Sequence, residues 1–556
     1  MTAPLKLNSE KPQKLLWQPD VDGESNIERF MAFAGARTGE RFDDYASIHQ
    51  WSVDHNDEFW SAFWDFAGIL GDKGEVVHGA IDQVPWVRFF PDSQISYAEN
   101  MLSRAQKTPD EPAIIARQQN GGDRIITWQD LYDQVSVWER ALKGAGLEEG
   151  DHIGAYLPNV PESVFLLLAS SNIGAVFSSI GTEMGQSDLI ERFGQFKPKI
   201  FIAADGYVHG SKVISRNDVN VRVQEKISSI EQTIVLGVIN DEHSLDGLSD
   251  AVRASEFLAP HVPSDIDFIR RDFNHPLYVL FSSGSSGTPK CFEHSSGGVL
   301  LKHMSEYLLH AEVEPGERMF YHASPSWMMW NWLASGLAAD ATILMYDGSP
   351  VHPDIHAQWK FTSDHGCTHH GTAAPVILSW SDEGARPAEN CDLSDLQMVL
   401  STGAVLPESG FQYLHDHVKA DVKIGSISGG TDLVACFVGG NALTPTYAGD
   451  INGAMMGMDV QVWDDRGKPV KPGEAGELVC VNAFPSMPLR FLNDPDGARF
   501  RAEYFEYFDC EPPVWRHGDA VRRSQGQLVV EGRSDSTINQ GGVRIGTQQL
   551  YDALGH

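Results

Sequence analysis

The chain has 556 residues and a formal net charge of -34, so it is long enough for several subdomains and too acidic for a nucleic-acid binder. The same charge argues against attachment to anionic membranes. It does not exclude a nucleotide ligand, because a few local donors are enough to hold one.

The cysteine pattern and the apolar segments indicate a cytoplasmic protein. The six cysteines are scattered without a CxxC pair, which predicts neither a disulfide framework nor a structural zinc site. The N-terminal residues 1–14 have no apolar stretch behind their basic residues, so we expect no secretory signal there. The most apolar window, 164–180, is interrupted by serines, an asparagine and a glycine, which favours a buried helix and strand over a membrane span.

Residues 1–105 are predicted to form an aromatic-rich N-terminal cap. Asp54 is a candidate N-cap for a helix that begins near Asp57. On that helix Phe59, Trp60 and Phe63 recur at helical spacing together with Trp64. A stripe of this kind is more typical of a core than of a ligand site.

From 106 to 445 apolar strands alternate with helices, which predicts two doubly wound, mostly parallel sheets of an α/β fold. The strands are predicted at 153–157, 175–180, 199–203, 234–238, 277–281, 341–346 and 398–401. Pro161 is suited to the first turn of one helix, and Ser187 is a candidate cap for another that ends near Phe196. Ligands of such folds bind at the carboxyl ends of strands, so we expect a ligand site there.

Residues 446–533 change to short alternating strands at 459–463, 477–481 and 527–530, with hairpin turns at 464–467 and 525–526. This pattern predicts a small antiparallel β-barrel. Residues 534–556 follow it to the end of the sequence.

The stretch LFSSGSSGTPK at 280–290 leaves a predicted strand and is rich in glycine and hydroxyl residues. Glycines let the backbone N–H groups converge on an anion, and Lys290 adds a positive charge, so we expect a phosphate-binding loop. The alternative is a flexible Ser/Gly linker. The loop departs from the mononucleotide P-loop, because Pro289 and Cys291 stand where that pattern has Gly and Ser or Thr.

The adjacent His369 and His370 are weak candidates for a metal site. Neighbouring residues of a strand point to opposite faces, and no carboxylate is spaced with them. No role is assigned to His294 or His517, which lie close to motifs.

Six stretches together resemble the adenylate-forming superfamily of acyl-CoA synthetases, in that family's order and spacing. They are PNVPES (158–163), SSGSSGTPK (282–290), STGAVLPES (401–409), GGTD (429–432), WRHGD (515–519) and GRSDSTINQGGVRIG (532–546). HQWSVD (49–54), SWMMWNW (326–332), YDGSP (346–350), SISGGTD (426–432) and PSMP (485–488) resemble the acetoacetyl-CoA synthetases within it. The resemblance covers nearly the whole chain and implies the adenylate-forming enzyme fold.

The resemblance implies a reaction in two halves, with ATP, Mg²⁺, acetoacetate and coenzyme A. A carboxylate attacks the α-phosphorus of ATP and releases pyrophosphate, and the coenzyme A thiol then displaces AMP to give the thioester. Both reactants of the first half are anionic, so positioning and charge stabilisation supply most of the catalysis.

The same resemblance implies a role for each site residue. Ser282, Ser283, Gly284, Ser285, Ser286, Gly287, Thr288 and Lys290 would hold the β- and γ-phosphates. Thr431 would contact the α-phosphate, and Asp432 would hold Mg²⁺ directly or through water; most relatives have Glu at this position, and the shorter Asp reaches less far. Gly403, Ala404, Val405 and Ser428 would line the adenine and ribose. Asp519 would accept hydrogen bonds from the ribose hydroxyls, and Arg533 would bridge ribose and phosphate.

The acyl pocket is expected around Trp327, Met328, Thr402 and Gly429. In the resembling acetyl-CoA synthetases a tryptophan at the position of Gly429 closes the pocket, so glycine would leave room for an acid longer than acetate. The alternative is that Gly429 serves a backbone turn with positive φ. The first interpretation predicts that Gly429→Trp cuts acetoacetate use and relatively favours acetate.

By resemblance, Asp535 lies at a hinge, Arg544 matches the family pattern, and a further domain that carries a lysine for adenylation follows the hinge. Only 536–556 follow here, so we expect this chain to have reduced activity. The alternatives are a synthetase for another short or medium acid, or a nucleotide-binding module without full activity. The oligomeric state cannot be inferred from the sequence.

Overall fold

Two large sheets form the centre of the molecule. The computed structural model describes residues 13–19, 24–79, 85–282, 288–524, 527–534, 537–540 and 543–546. The first sheet contains, in spatial order, the strands Ala251–Arg253, Gln232–Leu236, Ile200–Ala204, His152–Tyr156, Val176–Ile180, Pro276–Ser282, Lys290–Ser295 and Arg490–Phe491. Its first six strands are parallel and its last two are antiparallel additions.

The second sheet contains seven strands and is parallel except at one edge. In spatial order they are Lys423–Ser426, Met398–Thr402, His369–Ala373, Arg318–Tyr321, Thr342–Asp347, Pro112–Gln118 and Asp123–Thr127. The prediction of two mostly parallel sheets is therefore confirmed.

Helices connect the strands of both sheets. In the first half of the chain they are Asn26–Thr38, Tyr45–Asp54, Asn56–Ala67, Tyr97–Met101, Trp128–Gly144, Pro161–Ile173, Gln186–Phe196, Asn217–Lys226 and Ala254–Leu258. In the second half they are Ser296–Glu306, Met328–Ser335, Ala357–Asp364, Ala374–Asp382, Pro387–Asn390, Glu408–His417 and Ala498–Tyr504. None of the helices described has the length and apolar character needed to cross a membrane.

The predicted barrel region is a four-stranded antiparallel sheet. Its strands are Val460–Trp463, Ala475–Cys480, Trp515–Ser524 and Gln527–Arg533, in that spatial order. A smaller sheet contains the strands Ser428–Gly430, Ala435–Gly439 and Gly453–Ala454. In the sequence these strands come after those of the second sheet and before those of the four-stranded sheet. Three two-stranded sheets pair Leu15–Trp17 with Thr446–Tyr447, Gly206–His209 with Lys212–Ser215, and Thr537–Gln540 with Val543–Gly546. One three-stranded sheet contains Gly71–Asp72, Gln94–Ile95 and Arg271–Asp272. The subdomain boundaries at 105, 445 and 533 stay predictions.

Two predicted helix caps are wrong. Asp54 ends the helix Tyr45–Asp54, and the next helix starts only two residues later with His55 as its N-cap. Ser187 lies inside a helix that is capped by Gly185, because the chain enters the helical conformation one residue before the serine. Pro161 does occupy the first turn of its helix, as predicted.

The aromatic stripe of the cap is core, as predicted. Phe59, Trp60 and Phe63 are fully buried, and Trp64 is nearly so. The Asn56 amide donates to the Gly457 carbonyl over 3.1 Å, which ties this helix to the segment before the antiparallel sheet. The cap and the first sheet share one continuous hydrophobic core.

His369 and His370 are structural. Nε2–H of His369 donates to the Ala311 carbonyl over 2.7 Å, and the His370 ring stacks on Trp359 with 4.0 Å between the ring centres. The described residues contain no group of three or more His, Cys, Asp or Glu side chains that could hold a metal ion. Both rings are thus held by contacts within the protein.

Buried histidines make the stability sensitive to acid. Burial lowers the pKa of His310 and His370 to about 3 and that of His322 to about 4, from an ordinary value of 6.5. Below pH 6.5 the unfolded chain binds protons at these rings and the folded chain does not, so the free energy of unfolding falls by about 1.4 kcal/mol per pH unit for each ring. This loss should continue until the pH reaches the folded-state pKa values.

Urea unfolding between pH 7.5 and pH 4.5 measures this dependence. His370→Phe keeps the ring stack and removes one titrating group. It should reduce the slope of the free energy of unfolding against pH by about 1.4 kcal/mol per pH unit, the effect of one proton. A free energy of unfolding that stays constant from pH 7 to pH 5 would contradict the prediction.

Candidate active site

A cavity of about 720 Å³ lies where strands of both large sheets reach their carboxyl ends. Ile180 and Ser282 line it from the first sheet, and Asp347, Ala373 and Thr402 from the second. This location is the one predicted for a ligand site in an α/β fold.

Most of the predicted site residues that the structure describes line this one cavity. They are Ser282, Trp327, Met328, Thr402, Gly403, Ala404, Val405, Ser428, Gly429, Thr431, Asp519 and Arg533. The predicted phosphate contacts Ser283, Gly284, Ser285, Ser286 and Gly287, and the hinge residue Asp535, lie outside the described residues. Arg544 lies opposite Asn539 in the last hairpin.

The buried carboxylate of Asp519 lies at the end of the cavity that is predicted to bind the nucleoside. Asp519 is 4% exposed and stands opposite Arg533 in the antiparallel sheet. Its Oδ1 accepts from Nη1 of Arg533 over 2.8 Å, and its Oδ2 accepts from the Ser428 hydroxyl over 3.0 Å. A carboxylate has about four lone-pair positions, so ribose hydroxyls can bind it beside these two donors. The sequence predicted all three residues for this end and could not predict their mutual bonds.

Gly403 carries the segment that is predicted to line the adenine. It has a φ of +83°, in the left-handed region where glycine is favoured, directly after the strand Met398–Thr402. A side chain at this position would strain the turn. The backbone therefore favours glycine at this position, which lines the cavity.

The predicted phosphate loop connects two antiparallel strands. Ser282 ends one strand and stands opposite Lys290, which begins the next. The Lys290 ammonium binds the Glu503 carboxylate and lies 5.5 Å from the centre of the Tyr504 ring. Glu503 was not identified from the sequence, because it lies on the helix Ala498–Tyr504, outside every motif.

Replacing Glu503 by glutamine is expected to lower the KM for ATP several-fold. The carboxylate competes with phosphate oxygens for the Lys290 ammonium, and the amide that replaces it has no charge. Steady-state kinetics at saturating acid measure the change, with Glu506→Gln as a control, since Glu506 is an exposed carboxylate three residues away. A rise in the KM for ATP would mean instead that Glu503 holds Lys290 in its working position.

Thr431 and Asp432 lie in a tight turn, residues 431–434, which we call the Thr431 turn. It joins the strands Ser428–Gly430 and Ala435–Gly439 and contains Val434 at a φ of +52°, an uncommon conformation for a β-branched residue. Such strain persists only where the surroundings enforce it.

Two buried histidines enforce this conformation. Nε2–H of His294 donates to the Thr431 carbonyl over 3.0 Å, and Nε2–H of His303 donates to the Val434 carbonyl over 2.6 Å. Burial lowers the pKa of His294 to about 3 and that of His303 to about 4, so both rings are neutral donors near pH 7. His294 has thereby a structural contact that the sequence could not show, and His303 carried no sequence signal.

Asp432 is only 1% exposed and is not part of the cavity lining. Its Oδ2 accepts from the Tyr504 hydroxyl over 2.8 Å. One carboxylate fits Mg²⁺, because this ion is commonly held by one or two carboxylates, water and substrate phosphates.

Aromatic and thioether side chains lie at the end of the cavity that is predicted to bind the acyl group, which we call the acyl end. Trp327, Met328 and Met329 line the cavity, and the Trp327 ring packs edge-on against Tyr321 with 5.7 Å between centres. The Thr402 hydroxyl donates to the Ile427 carbonyl over 2.8 Å, so its proton points to the backbone.

Gly429 has a structural reason that the sequence did not show, and the alternative of a turn with positive φ is wrong. It does not have positive φ. A Cβ built on it would stand 2.0 Å from the Ala435 carbonyl oxygen and 2.6 Å from Cα of Cys436, both backbone atoms of the adjacent strand. Glycine is required here because the two strands approach closely.

Comparison with known proteins agrees with this arrangement. The AMP-binding enzyme family matches residues 102–484. The acetoacetyl-coenzyme A synthetase of Rhizobium meliloti is 42% identical over 553 residues, which cover 99% of this chain and 83% of that protein. This chain belongs to the AMP-binding enzymes, among the acetoacetyl-CoA synthetases.

Other acetoacetyl-CoA synthetases match along the same length. The Xenopus tropicalis protein is 34% identical over 555 residues, covering 97% of this chain and 81% of the relative. The structure of the Streptomyces lividans enzyme superposes with a TM-score of 0.88 at 37% identity, covering 97% of this chain and 83% of that one. The chain thus spans about four fifths of each relative. The reduced activity expected from the sequence stays a prediction, which a turnover assay tests.

Proposed function

We propose that this chain ligates acetoacetate to coenzyme A at the expense of ATP. One observation carries the proposal: Asp519 with Arg533 and Ser428, the Thr431 turn and the apolar acyl end line one cavity at the strand ends. The membership in a family of acetoacetyl-CoA synthetases supports it. ATP, acetoacetate and coenzyme A are the substrates, and the cytoplasm is the proposed compartment.

In the first half-reaction, a carboxylate oxygen of the acid forms a bond to the α-phosphorus. The bond between the α-phosphorus and the oxygen that bridges to the β-phosphate breaks, and pyrophosphate leaves. Asp519 and Arg533 would fix the ribose, and the Thr431 hydroxyl would donate to an α-phosphate oxygen. Mg²⁺ held by Asp432 would neutralise phosphate charge when bound. Lys290 would exchange Glu503 for a phosphate oxygen. These groups position reactants and stabilise charge, which is the main source of rate in phosphoryl and nucleotidyl chemistry.

In the second half-reaction, the thiol sulfur of coenzyme A forms a bond to the acyl carbon, and the bond from that carbon to the AMP oxygen breaks. The thiol proton leaves to solvent or to the departing phosphate. The products are acetoacetyl-CoA and AMP. The apolar walls at Trp327 and Met328 would hold the acyl chain through both halves.

Acid-dependent exchange of pyrophosphate into ATP tests the proposal on the 556-residue chain. The panel contains acetoacetate, acetate, butyrate and 3-hydroxybutyrate, and acetoacetate should give the highest kcat/KM. Preference for another acid would make the chain a different acyl-CoA synthetase. ATP binding without exchange for any acid would make it a nucleotide-binding module.

A further inference from the structure

A fully buried ion pair lies behind the acyl end of the cavity. Lys302 and Glu306 are one turn apart on the helix Ser296–Glu306, with side chains 0% and 3% exposed. The Lys302 ammonium donates to Oε1 of Glu306 over 2.7 Å. Neither residue lines the cavity or belongs to a motif of the sequence.

Glu306 joins two elements that line the cavity. Its Oε1 also accepts from the backbone N–H of Cys436 over 2.8 Å, and its Oε2 accepts from the indole Nε1–H of Trp332 over 2.9 Å. Cys436 lines the cavity and is the strand partner of Gly429. Trp332 lies on the helix Met328–Ser335, whose first two residues also line the cavity.

Stability alone is a poor reason for such a pair. Desolvation of two charges offsets most of their attraction, and well-packed apolar residues can often replace a buried pair without loss of stability. A carboxylate with two fixed acceptor oxygens can, in contrast, set the distance between two backbone elements.

We propose that Glu306, with Lys302 balancing its charge, is a positioning residue that sets the width of the acyl end and thereby the choice of acid. Glu306 touches neither substrate nor reacting atoms. It acts through Cys436 on one wall and through Trp332 on the other. The inference rests on the proposed function, since it assigns the acid to this end of the cavity.

A second ion pair of the same spacing provides a matched control. Glu139 and Lys143 are also one turn apart, on the helix Trp128–Gly144, and the side chain of Glu139 is 7% exposed. Glu139 likewise joins two elements, because its Oε2 accepts from the Asn172 amide over 3.0 Å. None of these three residues lines the cavity.

The test compares three variants with the unmodified chain in the exchange assay. Lys302→Met with Glu306→Gln removes both charges and leaves a single acceptor oxygen for two N–H groups. Trp332→Phe removes one of the two bonds and leaves the ion pair in place, so it decides the question if the double variant does not fold. Lys143→Met with Glu139→Gln is the control.

The double variant should raise the KM for acetoacetate and lower the preference for acetoacetate over butyrate about tenfold, the range typical of a small change in pocket shape. Trp332→Phe should change the same ratio in the same direction by less. The KM for ATP should stay the same in both, and the control should change neither the ratio nor the two KM values.

Folded, active variants that keep the acid preference would overturn the inference and leave the proposed function intact. An equal rise in the KM values for ATP and acid would overturn it as well, because it would indicate general disruption. Absence of acid-dependent exchange in the unmodified chain would overturn the proposed function, and the inference with it.

Discussion

Replacing Asp519 by asparagine is expected to raise the KM for ATP about a hundredfold while the KM for the acid changes little. The carboxylate accepts from Arg533 and Ser428 and is nearly inaccessible to solvent. The neutral amide loses charge-assisted hydrogen bonds to the ribose, and hydrogen bonds that involve a charged group contribute about 1.5–3 kcal/mol each. A loss of about 2.8 kcal/mol corresponds to two powers of ten.

The kinetic constants for ATP and for acetoacetate, each measured at saturation of the other, check this expectation. Asp123→Asn is the matched control, because Asp123 also pairs with an arginine, Arg117, and lies at the far edge of the second sheet. Equal rises of both KM values for Asp519→Asn would contradict a role at the ribose.

The site that the sequence could predict consists of residues within short contiguous motifs. Asp519 and Arg533 lie in two such motifs on adjacent strands, and Ser428 in a third, and the structure brings the three side chains together. Strand positions could also be predicted, because buried parallel strands are continuous apolar runs. Their observed ends differ from the predicted ones by one or two residues.

Contacts between distant segments could not be predicted. Tyr504 bonds Asp432 across 72 residues of sequence, and His303 bonds the Val434 carbonyl across 131. A tyrosine or histidine in a helix gives no periodic or motif signal that names its partner. The predicted helix caps were wrong for a related reason. Several residues near the start of each helix could serve as its N-cap, and the backbone geometry places a different residue there.

Gly429 supports the sequence inference about the acyl pocket, and the structure gives a further reason why glycine occupies this position. The absence of an indole at this position is visible in the sequence, and Gly429 does line the cavity. The backbone oxygen of Ala435, which would meet any Cβ at 2.0 Å, is not visible there. The structure therefore changes the outcome expected for substitutions at this position.

Gly429→Ala is expected to lower kcat/KM at least about tenfold for every acid, acetate included, and to destabilise the fold by about 1–3 kcal/mol, the range for overpacked sites. The new methyl group would collide with the backbone of Ala435 and Cys436, which cannot rotate aside as a side chain can. The two strands would have to separate, and the Thr431 turn that joins them would move. Gly429→Trp should therefore lose activity without gaining a preference for acetate.

Thermal unfolding and the exchange assay with acetate and acetoacetate distinguish the two explanations of Gly429. Gly194→Ala is the control, since Gly194 is an exposed helical residue whose added Cβ would meet no atom within 4 Å. That change should be neutral or slightly stabilising, because alanine favours a helix more than glycine does. If Gly429→Ala kept its stability and Gly429→Trp turned the preference towards acetate, pocket volume and not strand packing would be the reason for the glycine. The alanine variant separates the explanations because its methyl group is too small to fill the pocket and large enough to reach the adjacent backbone.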